Sequence, residues 1–477
     1  MTKSGGYEAF GSFHTPSTAV LFAQEHSDST TDVSTSQFAS QRLQLDENDT
    51  VNTHNQAQFA LDLDTWTYLN HGAFGAPTRL AIDAANQWRA QADTQPLTFH
   101  DRELFPLVVR AIKALSEFVG VQKSEQLVLL SNATSGLDAV LTSVLDIDAE
   151  DDADDDAVGQ TVVLFSTRYG AVRKMLQALE GSKRNKVLHV HEEQLSLEAS
   201  YDDEKVLQQL EAALDAVQAS GRRVTLVIVD HITSNTAVTL PVKDIVQRCH
   251  ARDDGVPVLV DGAHGLLNLP LHLDDIGADY YIGNCHKWFC SARGAAFLHV
   301  AKEDGPPIRP RVVSHGYFDG MQSAFMWTGL QDYSPWLALP QCLAFWRRQG
   351  VVKTRTYMHT LAQSAAELLY SRWEMSDQLE RECKYPQHKR HAMRLVQLPL
   401  SRRLCGGVVI DENDPKATSA DAKRVQDALH YTHHIEVPVK CIDGRLYVRI
   451  SAHVYNCLED YEKLAITAVE PNKRYCN

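Results

Sequence analysis

Apolar positions along this chain recur in two alternating periods. Leu104, Val108, Ile112, Leu115 and Phe118 fall three or four apart, the spacing of one helical face, and predict a helix over 103–119. Residues 78–92 read as a helix just before it. Short runs rich in β-branched residues then alternate with such faces. Leu127–Leu130 predicts a strand, and Leu137, Val140, Leu141 and Val144 a helical stripe. Strand Val162–Phe165 precedes a helix marked by Val172, Met175 and Leu179. Strand Val187–Val190 precedes a helix over 203–219, strand Val224–Val229 a helix over 242–252, and strand Val258–Val260 follows. This order predicts an α/β fold: a mostly parallel sheet covered by helices on both faces.

After Pro335 the pattern changes. A long helical stretch (336–372) leads through a basic loop to strand Met393–Leu398, a helix over 419–430, and strands Ile435–Val439 and Leu446–Ile450. The expected organisation is a large α/β domain over 59–335 and a smaller α+β domain over 336–477. Residues 1–58, rich in Ser, Thr, Gln and Asp and without a sustained period, read as a mobile extension.

Composition narrows the function classes. The 477 residues are 44% hydrophobic and 8% aromatic, enough for a sizeable core. Apolar runs such as Val224–Val229 are far short of the ~20 residues of a membrane helix, so a soluble chain with no membrane partner is expected. The net charge of −15 is concentrated: residues 1–58 hold seven acids against Lys3 and Arg42, and Asp146–Asp156 holds eight acids and no base. The rest is nearly neutral and carries no basic footprint for nucleic acid. The acidic run reads as a solvated surface insertion, since the ordered spacing and glycine of a calcium loop are missing. The amino end has neither a signal-peptide apolar core nor the arginines of a transit peptide. Nine cysteines without a CxxC pair point to reduced thiols and a cytoplasmic setting.

Ligands of parallel α/β sheets collect at the carboxyl ends of strands, and three polar clusters should lie there. Ser131-Asn132-Ala133-Thr134-Ser135-Gly136 follows a strand and opens a helix. Free N–H groups and hydroxyls there make an anion cradle, although a plain helix cap looks much the same. Asp261-Gly262-Ala263-His264 ends a second strand; its carboxylate could serve a ligand or form a turn. Gly283-Asn284-Cys285-His286-Lys287-Trp288 ends a third, where desolvation would make the Lys287 amine nucleophilic. An anion site, a carboxylate and a buried amine on one sheet edge fit pyridoxal 5′-phosphate. Its aldehyde needs a lysine, its pyridine nitrogen a carboxylate, and its phosphate a helix N-terminus. Tyr169, after a strand and before a helix, could lie over the ring or simply fill the helix–sheet boundary.

These motifs resemble the class V aminotransferase family of fold-type I pyridoxal-phosphate enzymes, in the branch of isopenicillin N epimerase and hercynylcysteine sulfoxide lyase. Tyr68-Leu69-Asn70-His71-Gly72-Ala73-Phe74-Gly75, Asn132–Gly136, Asp261–His264, Asn284–Trp288, Phe325–Gly329 and Val448-Arg449-Ile450-Ser451-Ala452 occur in the family's order. The resemblance implies that Lys287 is the Schiff-base lysine, that Asp261 pairs with the pyridine nitrogen and that His264 lies near the phenolic oxygen. It implies phosphate binding by Ala133 and Thr134 with help from Asn284 and His286, and stacking by Tyr169. Arg449 would grip the substrate carboxylate, and Asn70 and His71 would line the substrate side. It further implies a homodimer acting on a small amino acid, the loop Trp327–Gly329 completing the partner's phosphate site. Leu330 departs from the pattern: related chains often carry a threonine there that reaches the phosphate.

The residues leave the reaction open. C–S cleavage of a cysteine conjugate or sulfoxide needs no acid beyond the lysine base. Epimerisation needs an opposite-face proton donor, for which Tyr169 and His71 are the conjectural candidates. Transamination, and desulfuration through Cys441 on a mobile loop, share the first step. Two readings of other kinds are an inactive cofactor-binding scaffold and a zinc hydrolase built on Asp261, His264, Cys285, His286 and Cys290. The zinc spacing matches no common pattern and leaves Lys287 unexplained.

Overall fold

A computed structural model describes residues 13–24, 55–145, 160–180, 188–253, 255–301 and 305–470. The acidic run 146–156, Val187 and most of the first 58 residues lie outside the described residues. Twelve strands are present among the described residues: β1 (Thr67–Tyr68), β2 (Leu127–Leu130), β3 (Gln160–Phe165), β4 (Leu188–Glu193), β5 (Arg223–Asp230), β6 (Val258–Asp261), β7 (Tyr280–Asn284), β8 (Ala296–Val300), β9 (Met393–Gln397), β10 (Ile435–Glu436), β11 (Val439–Ile442) and β12 (Arg445–Ser451).

The large sheet has the order β2-β8-β7-β6-β5-β3-β4. β3 to β7 pair in parallel, whereas β8 runs antiparallel to both β7 and β2. The alternation of strands and helices foretold the parallel part. β8, a short run inside a Gly- and Ala-rich stretch, was not foreseen. Helices cover both faces because their apolar stripes are one-sided. Leu104, Val108, Ile112 and Leu115 of helix Leu104–Val119 are buried on one face of the sheet; Leu137, Val140 and Leu141 of helix Ala133–Val144 are buried in a separate cluster on the other. Each such side chain contributes about 1.5–3 kcal/mol by burial. Asn132 caps helix Ala133–Val144 by accepting from the Ser135 N–H, and Asp202 caps helix Asp203–Ala219 in the same way.

Three expectations need correction. The helical stretch 336–372 is three helices, Ser334–Leu337, Leu339–Gln349 and Val351–Arg372, interrupted at Gly350, whose φ of +82° no ordinary helix residue adopts. The first packs into the large core cluster through Trp336 and Leu337, and the second through Leu339, Leu343, Phe345 and Trp346. The second core gathers Leu361, Ala365, Leu369 and the β9, β11 and β12 side chains, together with Leu69 from far upstream. Similarly, Ile435–Val439 is not one strand. It divides before Pro438, which has no N–H for a ladder: β10 pairs in parallel with β1, while β11 turns back on β12.

Nor is all of 1–58 detached. Helix Thr18–Ala23 packs on the large domain, burying Leu21 and Phe22. Phe13 meets Phe105 and Trp327 edge-on at centroid distances of 5.0 and 4.7 Å. The His14 N–H donates to Asp101 at 3.0 Å, and the Lys113 ammonium donates to the Phe22 carbonyl at 2.8 Å. A few apolar residues in polar text were enough to anchor this piece. Among the described residues, no helix is long and apolar enough to cross a membrane.

Candidate active site

Adjacent parallel strands end together, and that places the chemistry. β5 ends at Asp230, β6 at Asp261 and β7 at Asn284, all buried on one edge of the sheet. The turn after β7 carries Lys287. The Asn70–Gly75 segment backs this turn. Gly75 has a φ of +65°, and a Cβ there would lie 2.0 Å from the His286 carbonyl oxygen and 2.8 Å from the Lys287 Cα. Gly75→Ala is therefore expected to displace the lysine turn and to cost at least the ~1–2 kcal/mol of a left-handed non-glycine residue. Thermal unfolding of the purified variant checks this; an unchanged Tm would contradict the packing.

The Lys287 amine sits 3.4 Å from His264 Nε2. The Trp288 indole, which can only donate, gives its N–H to His264 Nδ1 at 3.2 Å. His264 Nε2 therefore carries the ring proton and faces the amine as a donor. Burial holds His264 well below the usual histidine range, so the ring is neutral. Burial also lowers Lys287 to about 8, against the opposing pull of Asp261; Arg449 pushes it further down. At pH 7 about a tenth of chains then present a free amine, against roughly one in 3,000 for an ordinary lysine. The rate at which apoprotein captures the aldehyde of pyridoxal 5′-phosphate should rise about tenfold between pH 7 and 9 and then level off. A rise that continues unbroken past pH 9 would mean an unshifted lysine.

The other expected residues have partners within the chain. His71 does not line a substrate cavity. It is fully buried, with Nδ1 bonded to the Tyr455 hydroxyl at 2.8 Å and Nε2 donating to the Lys287 carbonyl at 3.2 Å. His453, which the sequence reading missed, supports the next carbonyl, that of Trp288, at 3.1 Å. Together with Cys290 these histidines are the one group of three converging metal-ligating side chains among the described residues, the thiol lying 3.7 and 3.4 Å from the two Nε2 atoms. Both Nε2 atoms are already committed to backbone carbonyls. Of the zinc set considered from sequence, only Cys290 belongs to this group.

At the helix N-terminus the Ala133 N–H, expected to bind phosphate, donates instead to the Asn284 side-chain oxygen at 2.9 Å. Asn284 thus ties the helix start to the end of β7. Thr134 is exposed, and its hydroxyl makes no hydrogen bond among the described residues. His286 directs Nδ1 at the Ala295 carbonyl, 3.2 Å away, and remains partly exposed. Tyr169 is 42% exposed at the start of helix Gly170–Glu180, and its backbone N–H lies near Asp230 and favours the charged form of that carboxyl. Asp230 was overlooked because the run of β-branched residues ends at Val229; an acid one residue past that run, level with the end of the neighbouring strand, was the available signal.

Arg449, on β12, is buried and donates to the Ser234 carbonyl and to Asn70 Oδ1, the latter at 3.3 Å. Its Nε has no partner, and it forms no ion pair among the described residues. Burial lowers it to about 10. A buried guanidinium without a carboxylate is costly unless an anion arrives. Asn70 in turn donates to Glu436 at 3.1 Å, so it orients the guanidinium. Cys441 lies within β11, opposite Leu446, and its thiol donates to the Ala417 carbonyl at 3.1 Å; burial raises its pKa. It is on no mobile loop. Leu330 is exposed, while Thr328 lines a cavity of about 330 Å³ with Ser131, Ser135 and Arg311 of its own chain.

The donor set fits a phosphorylated pyridine aldehyde: an amine of lowered pKa, a buried carboxylate at the end of the neighbouring strand, a helix N-terminus with an unengaged hydroxyl, and an unpaired guanidinium for a second anion. This edge and its sheet place the chain among pyridoxal 5′-phosphate enzymes of fold-type I. More narrowly, the chain belongs to the aminotransferase class-V family, whose profile matches residues 101–393. It is 31% identical over 417 residues to the putative L-cysteine desulfhydrase 1 of Oryza sativa subsp. japonica, covering 83% of this chain and 81% of that protein. It is 28% identical over 422 residues to the isopenicillin N epimerase of Amycolatopsis lactamdurans, covering 85% of this chain and 95% of that one. Among solved structures, the cystine C–S lyase C-DES in complex with its reaction product, cysteine persulfide, superposes with a TM-score of 0.61 at 19% identity, over 84% of this chain and 97% of that chain. The fold is shared, and the cofactor is pyridoxal 5′-phosphate.

Proposed function

We propose that this enzyme breaks the C–S bond of a cysteine-derived amino acid, a conjugate or its sulfoxide, by β-elimination. The observation that carries the reading is the commitment of His71. Epimerisation needs a second proton donor on the face opposite the lysine; of the two candidates His71 is turned away with both ring nitrogens engaged, which leaves Tyr169 alone for that part. Desulfuration needs a mobile nucleophilic thiol, and Cys441 is held in a strand with a raised pKa. The names of the plant relatives, L-cysteine desulfhydrases, point the same way.

In this reading Lys287 binds the cofactor and, once released, removes the substrate α-proton at its Nζ. Asp261 faces the pyridine nitrogen, His264 donates from Nε2 beside Nζ, and Thr134 with the helix N-terminus and His286 take the phosphate. Tyr169 covers the ring. The cofactor, when bound, supplies the sink for the electrons left at Cα. Arg449 would grip the α-carboxylate in a two-pronged fork, with Asn70 behind it. A sulfur on the β-carbon then leaves without a further catalytic group. With cysteine, water completes the balance to pyruvate, ammonia and hydrogen sulfide.

A homodimer in a reducing, cytoplasmic setting belongs to the same reading. The exposed Phe74, Val312, Val313, Phe318 and Leu330 are apolar surface of the kind that subunit contacts cover. Incubation with cysteine, cystine and cysteine sulfoxide conjugates, followed by assay of pyruvate, ammonia and released thiol or sulfide, tests the reaction. Pyruvate in step with sulfur release is expected. Inversion of the α-centre without pyruvate would replace this reading with epimerisation.

A further inference from the structure

Asp230 and Asp261 are register partners at the carboxyl ends of β5 and β6. Partners in a parallel sheet present their side chains on the same face, with strands about 4.8 Å apart. Both carboxyls are buried, at 5% and 6% exposure. Support is sparse: the Ala263 N–H donates to Asp261 at 3.0 Å, and the Tyr169 N–H lies near Asp230 and favours its charged form. Two buried carboxylates at this spacing, with so little support, cannot both be ionised cheaply.

The groups facing the pair do not neutralise two charges. Lys287 acts on both carboxyls, more on Asp261 than on Asp230, and Asp230 feels Arg168 more strongly than it feels Lys287. Arg168, beyond Asp230, is committed to Glu192 at 2.9 Å. His231, next to Asp230, is neutral by burial and bonds the Tyr281 hydroxyl at 2.9 Å; that phenol lies beside Asp261 and holds its proton. One negative charge between the two carboxyls is therefore what the surroundings support.

We propose that Asp230 and Asp261 act as one acid–base unit holding a single shared proton near neutral pH, with Asp230 as its keeper. Asp261 then remains the carboxylate of the pair, and Asp230, neutral and able to donate, is the positioning residue that orients it. Desolvation raises the pKa of both, and the like charge of Asp261 raises that of Asp230 further. The unit presents one negative charge to one protonated pyridine nitrogen, and this consequence rests on the cofactor reading above.

Apoprotein labelled with ¹³C at the aspartate carboxyls tests the pair by NMR titration, without cofactor or turnover. Asp230→Asn and Asp261→Asn assign the two signals. The wild-type pair is expected to titrate in two steps more than about one pH unit apart. Asp261→Asn should bring the Asp230 step down by about a unit or more, because the like charge has gone. Two carboxyls titrating together in the ordinary aspartate range, or an Asp230 step that stays in place in Asp261→Asn, would overturn the proposal. Equilibrium binding of pyridoxal 5′-phosphate to apoprotein adds a second readout. Asp230→Asn, which keeps a neutral donor, should retain affinity within about threefold, and Asp230→Ala should lose roughly tenfold or more. Equal losses in the two variants would also overturn it. The titration is read on apoprotein, so its failure is distinct from failure of the cofactor to label Lys287.

Discussion

Lys287→Ala is expected to lower turnover by more than about 10⁴-fold, beyond what loss of a general base alone removes, because the same amine binds the cofactor and moves the proton. Borohydride treatment of the wild-type holoenzyme should fix a pyridoxyl group on the peptide that contains Lys287 and on no other. The variant should still bind some cofactor through the phosphate site. Recovery of the label on a different lysine would remove Lys287 from its place in the reaction, however well its lowered pKa and its contact with His264 suit that role.

The second large effect is expected at Arg449. Removing one partner of a buried charge pair costs about 2–5 kcal/mol, so Arg449→Ala should lower kcat/KM by roughly 30- to 5,000-fold. Arg449→Lys should recover little, since an ammonium cannot reproduce the two-pronged grip. The apoprotein should meanwhile lose little stability. In the absence of an anion the guanidinium is a buried charge with one side-chain and one backbone partner, and its removal takes a burden from the fold as well as two hydrogen bonds. A variant that unfolds but retains its kcat/KM when stabilised would show a structural residue in place of a substrate anchor.

The site was unevenly legible. Lys287, Asp261 and His264 stand in short motifs at strand ends of the large sheet, where local pattern and parallel topology together place a residue, while Arg449 reaches them from the middle of antiparallel β12. His71 stands in an equally clear motif, yet its ring points into the backbone of the lysine turn. Nothing in Tyr68–Gly75 tells which way an imidazole faces; that depends on Tyr455, almost four hundred positions away in the chain. The Ala133 N–H donates to the Asn284 side chain, a contact made only when β7 and the helix after β2 share an edge. Cys441 was read as following a strand because Ile435–Val439 is apolar throughout. Pro438 interrupts that run, and the thiol falls inside the next strand.

Periodicity and local motif, which act over a few residues, determined the helices, most strands and the parallel α/β character, and they marked out the candidate lysine and carboxylate. Leu127–Leu130 and 203–219 came out with their observed ends because caps and apolar stripes are local. What only the tertiary structure decided was every relation between distant segments. These include the reversed direction of β8, the pairing of β1 with β10, the docking of Phe13 and helix Thr18–Ala23, and the adjacency of Asp230 to Asp261. Such relations are set by which buried surfaces fit together and which backbone groups find partners. These are properties of the packed chain as a whole, and no window of sequence contains both halves of them.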